Sequence, residues 1–331
     1  MFVSLDFLNG KDSINWGFHV IHSVREVFTM HQRPIYFLTT FFVTLMMLSI
    51  SAFADGEKIK ALIVDGQNNH GNWPQTTQIM KKWLEDSGRF TVEIARTGKQ
   101  GTDENFAPNF SDFDVVISNY NGVEWPETTK QAFVEYVKNG GGFVTVHAAD
   151  NAFPKWKAYN EMIGLGGWGG RDQTSGPYVY FNEETQEIVR DASEGRGGNH
   201  GSQHAFPVII RNSEHPITTG MPGAWMHVKD ELYDKLRGPA ENMTVLATAF
   251  ANPKTGGSGR HEPMMMTIDY GDGRVFHLPM GHSNESQQCT GFITALTRGS
   301  EWVATGKVTI PIPQDFPTMD TTKTRDIELK K

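Results

Sequence analysis

The chain has 331 residues, a formal net charge of −8 and one cysteine. No Lys/Arg-rich stripe occurs, which argues against binding along a phosphate backbone, so nucleic acid is not an expected partner. The lone Cys289 excludes an intramolecular disulfide and any Cys-x-x-Cys metal knuckle. In chain order, Met30–Ala54 reads as a bacterial-type secretory signal. It has a basic Arg33, an apolar run from Ile35 to Ile50 and a small-x-small site at Ala52-Phe53-Ala54. Cleavage before Asp55 is expected, giving a periplasmic or secreted product with no stable membrane span. A retained anchor is the competing reading of the same apolar run. Secretory signals begin at the amino terminus, so residues 1–29 read as an extension upstream of a start at Met30.

The first half of the mature chain alternates strand and helix patterns. Lys58–Asp65 is a β-branched run ending at Gly66, and Pro74–Ser87 has helical spacing through Ile79, Trp83 and Leu84. Strands are expected at Thr91–Ala95, Asp114–Ser118 and Phe143–Val146, with a helix over Pro126–Lys138. Such alternation predicts right-handed crossovers and a mainly parallel sheet. Ligands then bind beyond the carboxyl ends of the strands. The second half is less regular. A short helix is expected at Pro154–Gly164 and loops at Gly166–Gly170 and Gly195–Gly201. Strands follow at Phe206–Ile210, Thr244–Ala249, Met264–Ile268 and Val275–Leu278, with a hairpin at Tyr270–Gly273. A helix from about Ser286 to Ala304 closes residues 55–310, which read as one domain. From Pro311 onward the composition fits an extended strap or a disordered tail.

Three signals could carry chemistry. His70, His147, His277 and His282 sit at expected strand ends, where neutral imidazoles suit zinc ligation or proton transfer. Any one of them alone is more simply a hydrogen-bonded turn residue. Asp230-Glu231-Leu232-Tyr233 supplies two adjacent carboxylates and a phenol, of which at most one carboxylate should enter a site, because neighbours point apart. Trp168, Trp225 and Tyr178 lie near glycine-rich loops and could stack on a sugar, although core packing is the plainer role for each. His200 and His204 have a helical ligand spacing in a glycine-rich context that disfavours a helix, so the pair is a weak metal motif. No phosphate loop and no Gly-x-Ser-x-Gly elbow occurs, and Cys289 falls within an expected helix.

Together, IKALIVDGQNNHGNW, DFDVVISNY, VEYVKNGGGFVTVHAA, SEHPITTGMPGAW, KDELY and YGDGRVFHLPMGHS resemble the ThuA-like (trehalose utilisation) family over roughly residues 58–305. The resemblance implies an α/β fold like that of class I glutamine amidotransferases, a flavodoxin-like three-layer sandwich with a mainly parallel sheet. In those enzymes the strand–turn–helix corresponding to GGGFVTVHAAD carries a catalytic cysteine. This chain has His147 there, which excludes glutamine hydrolysis by that machinery. The positions matching family motifs are His70, His147, His215, Asp230, Glu231, Tyr233, His277 and His282.

The expected function is that of an exported carbohydrate-active enzyme, hydrolysing, eliminating or rearranging a glycoside or 3-keto-glycoside. His147 and Glu231 would serve as general base and acid, with Tyr233 positioning a hydroxyl. His70, Asn119, Asp150, Trp168, Asp230 and His282 would line the substrate site. His70, His147 and His282 are the metal candidates, for a divalent ion such as zinc. The partner is a small carbohydrate, and a homo-oligomer is compatible with the sequence. The rival readings are a non-catalytic sugar-binding protein on a degenerate amidotransferase-like fold, and a structural domain.

Overall fold

The computed structural model describes residues 57–328; the expected extension and export signal lie outside the described residues. The strands are β1 (Ile59–Asp65), β2 (Phe90–Arg96), β3 (Val115–Ser118), β4 (Gly142–Val146), β5 (Tyr178–Asn182), β6 (Glu187–Asp191), β7 (Asn199–His200), β8 (His204–Ile210), β9 (Ala224–Asp230), β10 (Tyr233–Asp234), β11 (Met243–Phe250), β12 (His261–Tyr270) and β13 (Gly273–Leu278). The helices are α1 (Trp73–Asp86), α2 (Glu127–Lys138), α3 (Lys157–Ile163) and α4 (Thr290–Thr305).

The main sheet runs β2-β1-β3-β4-β13-β12-β11-β8-β9, with β5 and β6 attached through β12. Its first five strands are parallel, as the alternating half of the sequence predicts. From β12 to β9 each pairing is antiparallel, because these strands follow one another through turns and loops instead of helical crossovers. The hairpin at Tyr270–Gly273 joins β12 to β13 around Gly271, whose φ of 62° suits a residue without a side chain.

Alternation along β1 sends its side chains into two apolar clusters. Ala61 and Ile63 pack with Met80 and Leu84 of α1 and with Phe292 and Leu296 of α4. Leu62 and Val64 pack with Phe133 and Val137 of α2 and with Tyr159 and Met162 of α3. Helices therefore cover both faces of the parallel block, and the carboxyl ends of its strands are left for loops.

The expected helix at Pro154–Gly164 contracts to α3, and the closing helix starts at Thr290 after a short 3-10 turn over Ser286–Gln288. The His-Pro-Ile-Thr motif is structural. Arg298, buried on α4, donates to the carbonyls of Pro216, Ile217 and Thr219 at 2.7–2.8 Å. His215 turns away from the strand ends and packs against Trp302. Beyond Ile310 the chain runs as a strap. The Met226 amide donates to the Thr318 carbonyl and the Thr290 amide to that of Lys323, while Phe316 packs near Trp225.

Candidate metal centre and cavity

Four side chains meet beyond the carboxyl ends of the strands. His70 comes from the turn after β1, His147 from the 3-10 turn after β4, Glu231 from the residue after β9, and His282 from the loop after β13. One ligand atom from each lies within 4.8 Å of all the others. Three of them form a tighter triangle. His282 Nδ1 is 3.1 Å from Glu231 Oε2 and 3.3 Å from His147 Nε2, and His147 Nε2 is 3.6 Å from Glu231 Oε2. Ligand atoms about 2 Å from a tetrahedral zinc sit roughly 3.3 Å from one another, so this triangle fits the spacing of a two-histidine, one-carboxylate site.

Each ring is held for that purpose. His147 has φ of 48°, an uncommon left-handed conformation for a residue with a side chain, at the tip of the turn that opens with Val146 in extended backbone. Its Nδ1 donates to the Pro279 carbonyl at 2.8 Å, which leaves the Nε2 lone pair facing the cluster. Its ring also stacks on Tyr233 with centroids 4.2 Å apart. The Asn72 side chain donates to the His282 carbonyl, and the His70 amide donates to Asn68 Oδ1.

The electrostatics suit a cation. Burial, reinforced by His147 and His282, pushes the His70 pKa down to about 4, so its ring is neutral at physiological pH. Burial opposes ionisation of Glu231, but hydrogen bonds and charge from His147 and His282 outweigh it and hold the carboxyl well below the usual range. Burial also opposes a charge on His282, yet Glu231 raises its pKa above the ordinary value. Tyr233 is raised well above 10 by burial and then by Glu231, so its phenol keeps its proton.

Of the four, His70 and Glu231 reach a cavity of about 470 Å³, whose wall also includes Asn69, Asn151, Phe153, Trp168, His200 and Tyr233. Trp168 is another left-handed residue, φ 51°, and its ring meets Tyr233 edge-on at 4.8 Å. Glycines make room for it: a Cβ on Gly198 would lie 2.5 Å from the Trp168 amide nitrogen. His200 pairs with Tyr233 across β7 and β10, and its Nδ1 donates to the Gly201 carbonyl at 2.9 Å. Strand pairing and not a helix thus places His200 here, and His204 does not share the cavity wall.

Of the residues expected to line the substrate site, Asn119, Asp150, Asp230 and His282 lie outside the cavity wall. Asn119 is buried and donates to Thr76 and Thr77, tying down the first turn of α1. Asp150 is buried, accepts from Thr145 and lies 2.7 Å from His277 Nε2. Asp230 is fully buried under the cluster, while Glu231 enters it, so one of the two adjacent carboxylates does reach the site. Asp230 accepts from the amides of Glu231, Gly281 and His282, and lies 2.8 Å from His227 Nε2. His277 is likewise internal, held to the Ile163 carbonyl. Trp225 is a core residue against Gly291, and Tyr178 is covered by the Arg237 guanidinium at 3.8 Å. Sequence reasoning missed His227, whose only signal is its place three residues before Asp230 on a strand not expected from the sequence. It also undervalued His200.

No curated protein matches the chain. Among solved structures, a ThuA-like protein of Parabacteroides merdae is 48% identical, with a TM-score of 0.78 over 81% of this chain and 98% of that one. A second ThuA-like protein, from Bacteroides uniformis, is 20% identical with a TM-score of 0.54 over 78% and 96% of the two chains, and shares the fold. The family model described as trehalose utilisation matches residues 60–303, and the chain belongs to the ThuA family.

Proposed function

We propose that the protein is a divalent-metal-dependent, exported enzyme of carbohydrate metabolism that hydrolyses, eliminates or rearranges a glycoside or 3-keto-glycoside. The observation that carries this reading is the His147–Glu231–His282 triangle beside a cavity with an aromatic wall. The family description, trehalose utilisation, supplies the substrate class. The leader-like segment Met30–Ala54 supplies the expectation of export. Packing of α1 and α4 opposite α2 and α3 supports the flavodoxin-like three-layer arrangement.

In this reading His147, Glu231 and His282 hold the ion, and His70 closes the site from the cavity side. Zinc suits such a donor set, and a bound divalent ion would polarise a substrate oxygen. Trp168 takes the apolar face of the sugar ring, and Tyr233 donates a hydrogen bond from its protonated phenol. With His147 and Glu231 engaged as ligands, the proton-carrying role expected of them passes to His200. Its Nδ1–H is committed to a carbonyl, which leaves Nε2 free to accept a proton. A C–H next to a keto group is acidic enough for such a base.

The test is metal analysis of the purified protein together with assays on trehalose, other disaccharides and their 3-keto derivatives, with His147→Ala as control. Stoichiometric metal and turnover lost together in the variant are expected. Full turnover in His147→Ala would remove the centre from the chemistry. Tight sugar binding with no turnover would favour the sugar-binding reading instead.

A further inference from the structure

We propose that the buried pair Asp230 and His227 positions the metal centre and sets its affinity, although neither residue can touch the ion or a substrate. The proposal rests on the reading of the cluster as a metal site.

Glu231 and His282 stand on separate segments, one following β9 and the other in the loop after β13. A single carboxylate joins them. Asp230 Oδ1 accepts from the Glu231 amide at 2.9 Å and from the His282 amide at 3.1 Å. Its Oδ2 accepts from the Gly281 amide at 2.8 Å and faces His227 Nε2 at 2.8 Å. An ionised carboxylate offers about four acceptor positions, so these four donors use its whole capacity. Asp230 and His227 are both 0% exposed, and neither is among the four side chains whose ligand atoms converge, so each acts through the residues it holds.

The donors are fixed in turn. Gly281 has φ of 107°, and a Cβ there would lie 2.6 Å from the Phe292 ring, so the loop can follow only this close path. The His227 ring lies between Phe206, at 5.2 Å, and Trp225, at 5.6 Å. Asp230 therefore couples a packed core to two ligand-bearing backbones. Partners one layer out from a metal typically change affinity by about 10- to 100-fold when mutated. Asparagine at position 230 would keep one acceptor oxygen and turn an amide N–H toward backbone donors, so two of the four bonds would be lost.

The experiment uses the full chain and the metals alone. Zinc affinity is measured by chelator competition, and the visible spectrum of the cobalt-loaded protein reports ligand geometry. Asp230→Asn is expected to weaken zinc binding by about 10- to 100-fold and to alter the cobalt bands. His227→Gln, which leaves the three backbone donors in place, is expected at the lower end, about 10-fold. A purely structural role would lower thermal stability and leave the cobalt spectrum of the folded fraction unchanged. Variants that bind zinc within about twofold of the wild type, with superimposable cobalt spectra, overturn the proposal. If Asp230→Asn does not fold, His227→Gln decides by the same two measurements. A wild-type chain that takes up neither ion overturns the metal reading and the proposal with it, whereas unaffected variants of a metal-binding wild type overturn the proposal alone.

Discussion

His147 Nε2 and His282 Nδ1 lie 3.3 Å apart although 135 residues separate them in sequence. Both rings turn toward Glu231 Oε2, which lies 3.6 Å from His147 Nε2 and 3.1 Å from His282 Nδ1. Replacing either with alanine removes a corner of the triangle. His147→Ala or His282→Ala should lower zinc affinity by at least about 100-fold while leaving the circular dichroism spectrum intact. Retention of stoichiometric zinc in both variants would contradict the assignment.

The proton balance of the centre gives a second prediction. A metal must displace the proton from each ligand. His70, with its pKa near 4, has none to lose at neutral pH, and Glu231 is already ionised. His282, whose pKa Glu231 raises above the ordinary histidine value, is the ligand that holds its proton to higher pH. Zinc binding should therefore release a proton from His282, increasingly as pH is lowered, and affinity should fall as pH drops through the raised His282 value. Calorimetry in buffers of different ionisation enthalpy measures this, and Glu231→Gln should abolish the release. In the metal-free protein the His282–Glu231 interaction stabilises the fold below the unfolded histidine value and is lost as pH rises through the folded one. The suppressed pKa of His70 acts in the opposite sense, destabilising the fold as pH falls from 6.5 toward 4.

Trp168→Ala should weaken binding of a pyranose ligand by about 10-fold, since a stacked aromatic contributes on the order of 1 kcal/mol, with zinc content unchanged. Gly198→Ala should produce much of the same loss. The glycine has φ of 89°, and its added methyl would push the Trp168 backbone out of place. Equal affinity in wild type and Trp168→Ala, measured by titration calorimetry, would mean that the wall is not a sugar platform.

His200→Gln keeps a polar side chain on the cavity wall and removes the imidazole. Turnover should fall by about 100-fold or more, with zinc affinity unchanged and the limb of the pH profile that reports the base removed. A pH profile unchanged from the wild type would place the base elsewhere.

Much of the fold was legible because the first half obeys two clear periods. The apolar run of β1 and the helical spacing of Ile79, Trp83 and Leu84 leave few alternatives. β9 was not legible: burial alternates from Ala224 to His227 and then breaks at Val228, and two of the buried positions are the polar His227 and Asp230. Among the site residues, the strand-end rule found His70, His147 and His282. It could not separate them from His277, which sits next to the end of β13 but points into the interior. Asn119, Asp150 and Asp230 are buried, and a pattern of residue types does not tell a polar side chain that lines a site from one that scaffolds it. His200 depended on the pairing of two residues with two, Tyr233↔His200 and Asp234↔Asn199, too short to leave a periodic signal.

The strap after Ile310 runs beside β9, the last strand of the sheet. By taking the Met226 amide, it occupies part of an edge that would otherwise be open to another chain's strand. The strand so guarded carries His227 and Asp230. Trimming the strap would thus be felt first as self-association at high protein concentration, in a molecule whose histidine and carboxylate cluster had been left untouched in sequence.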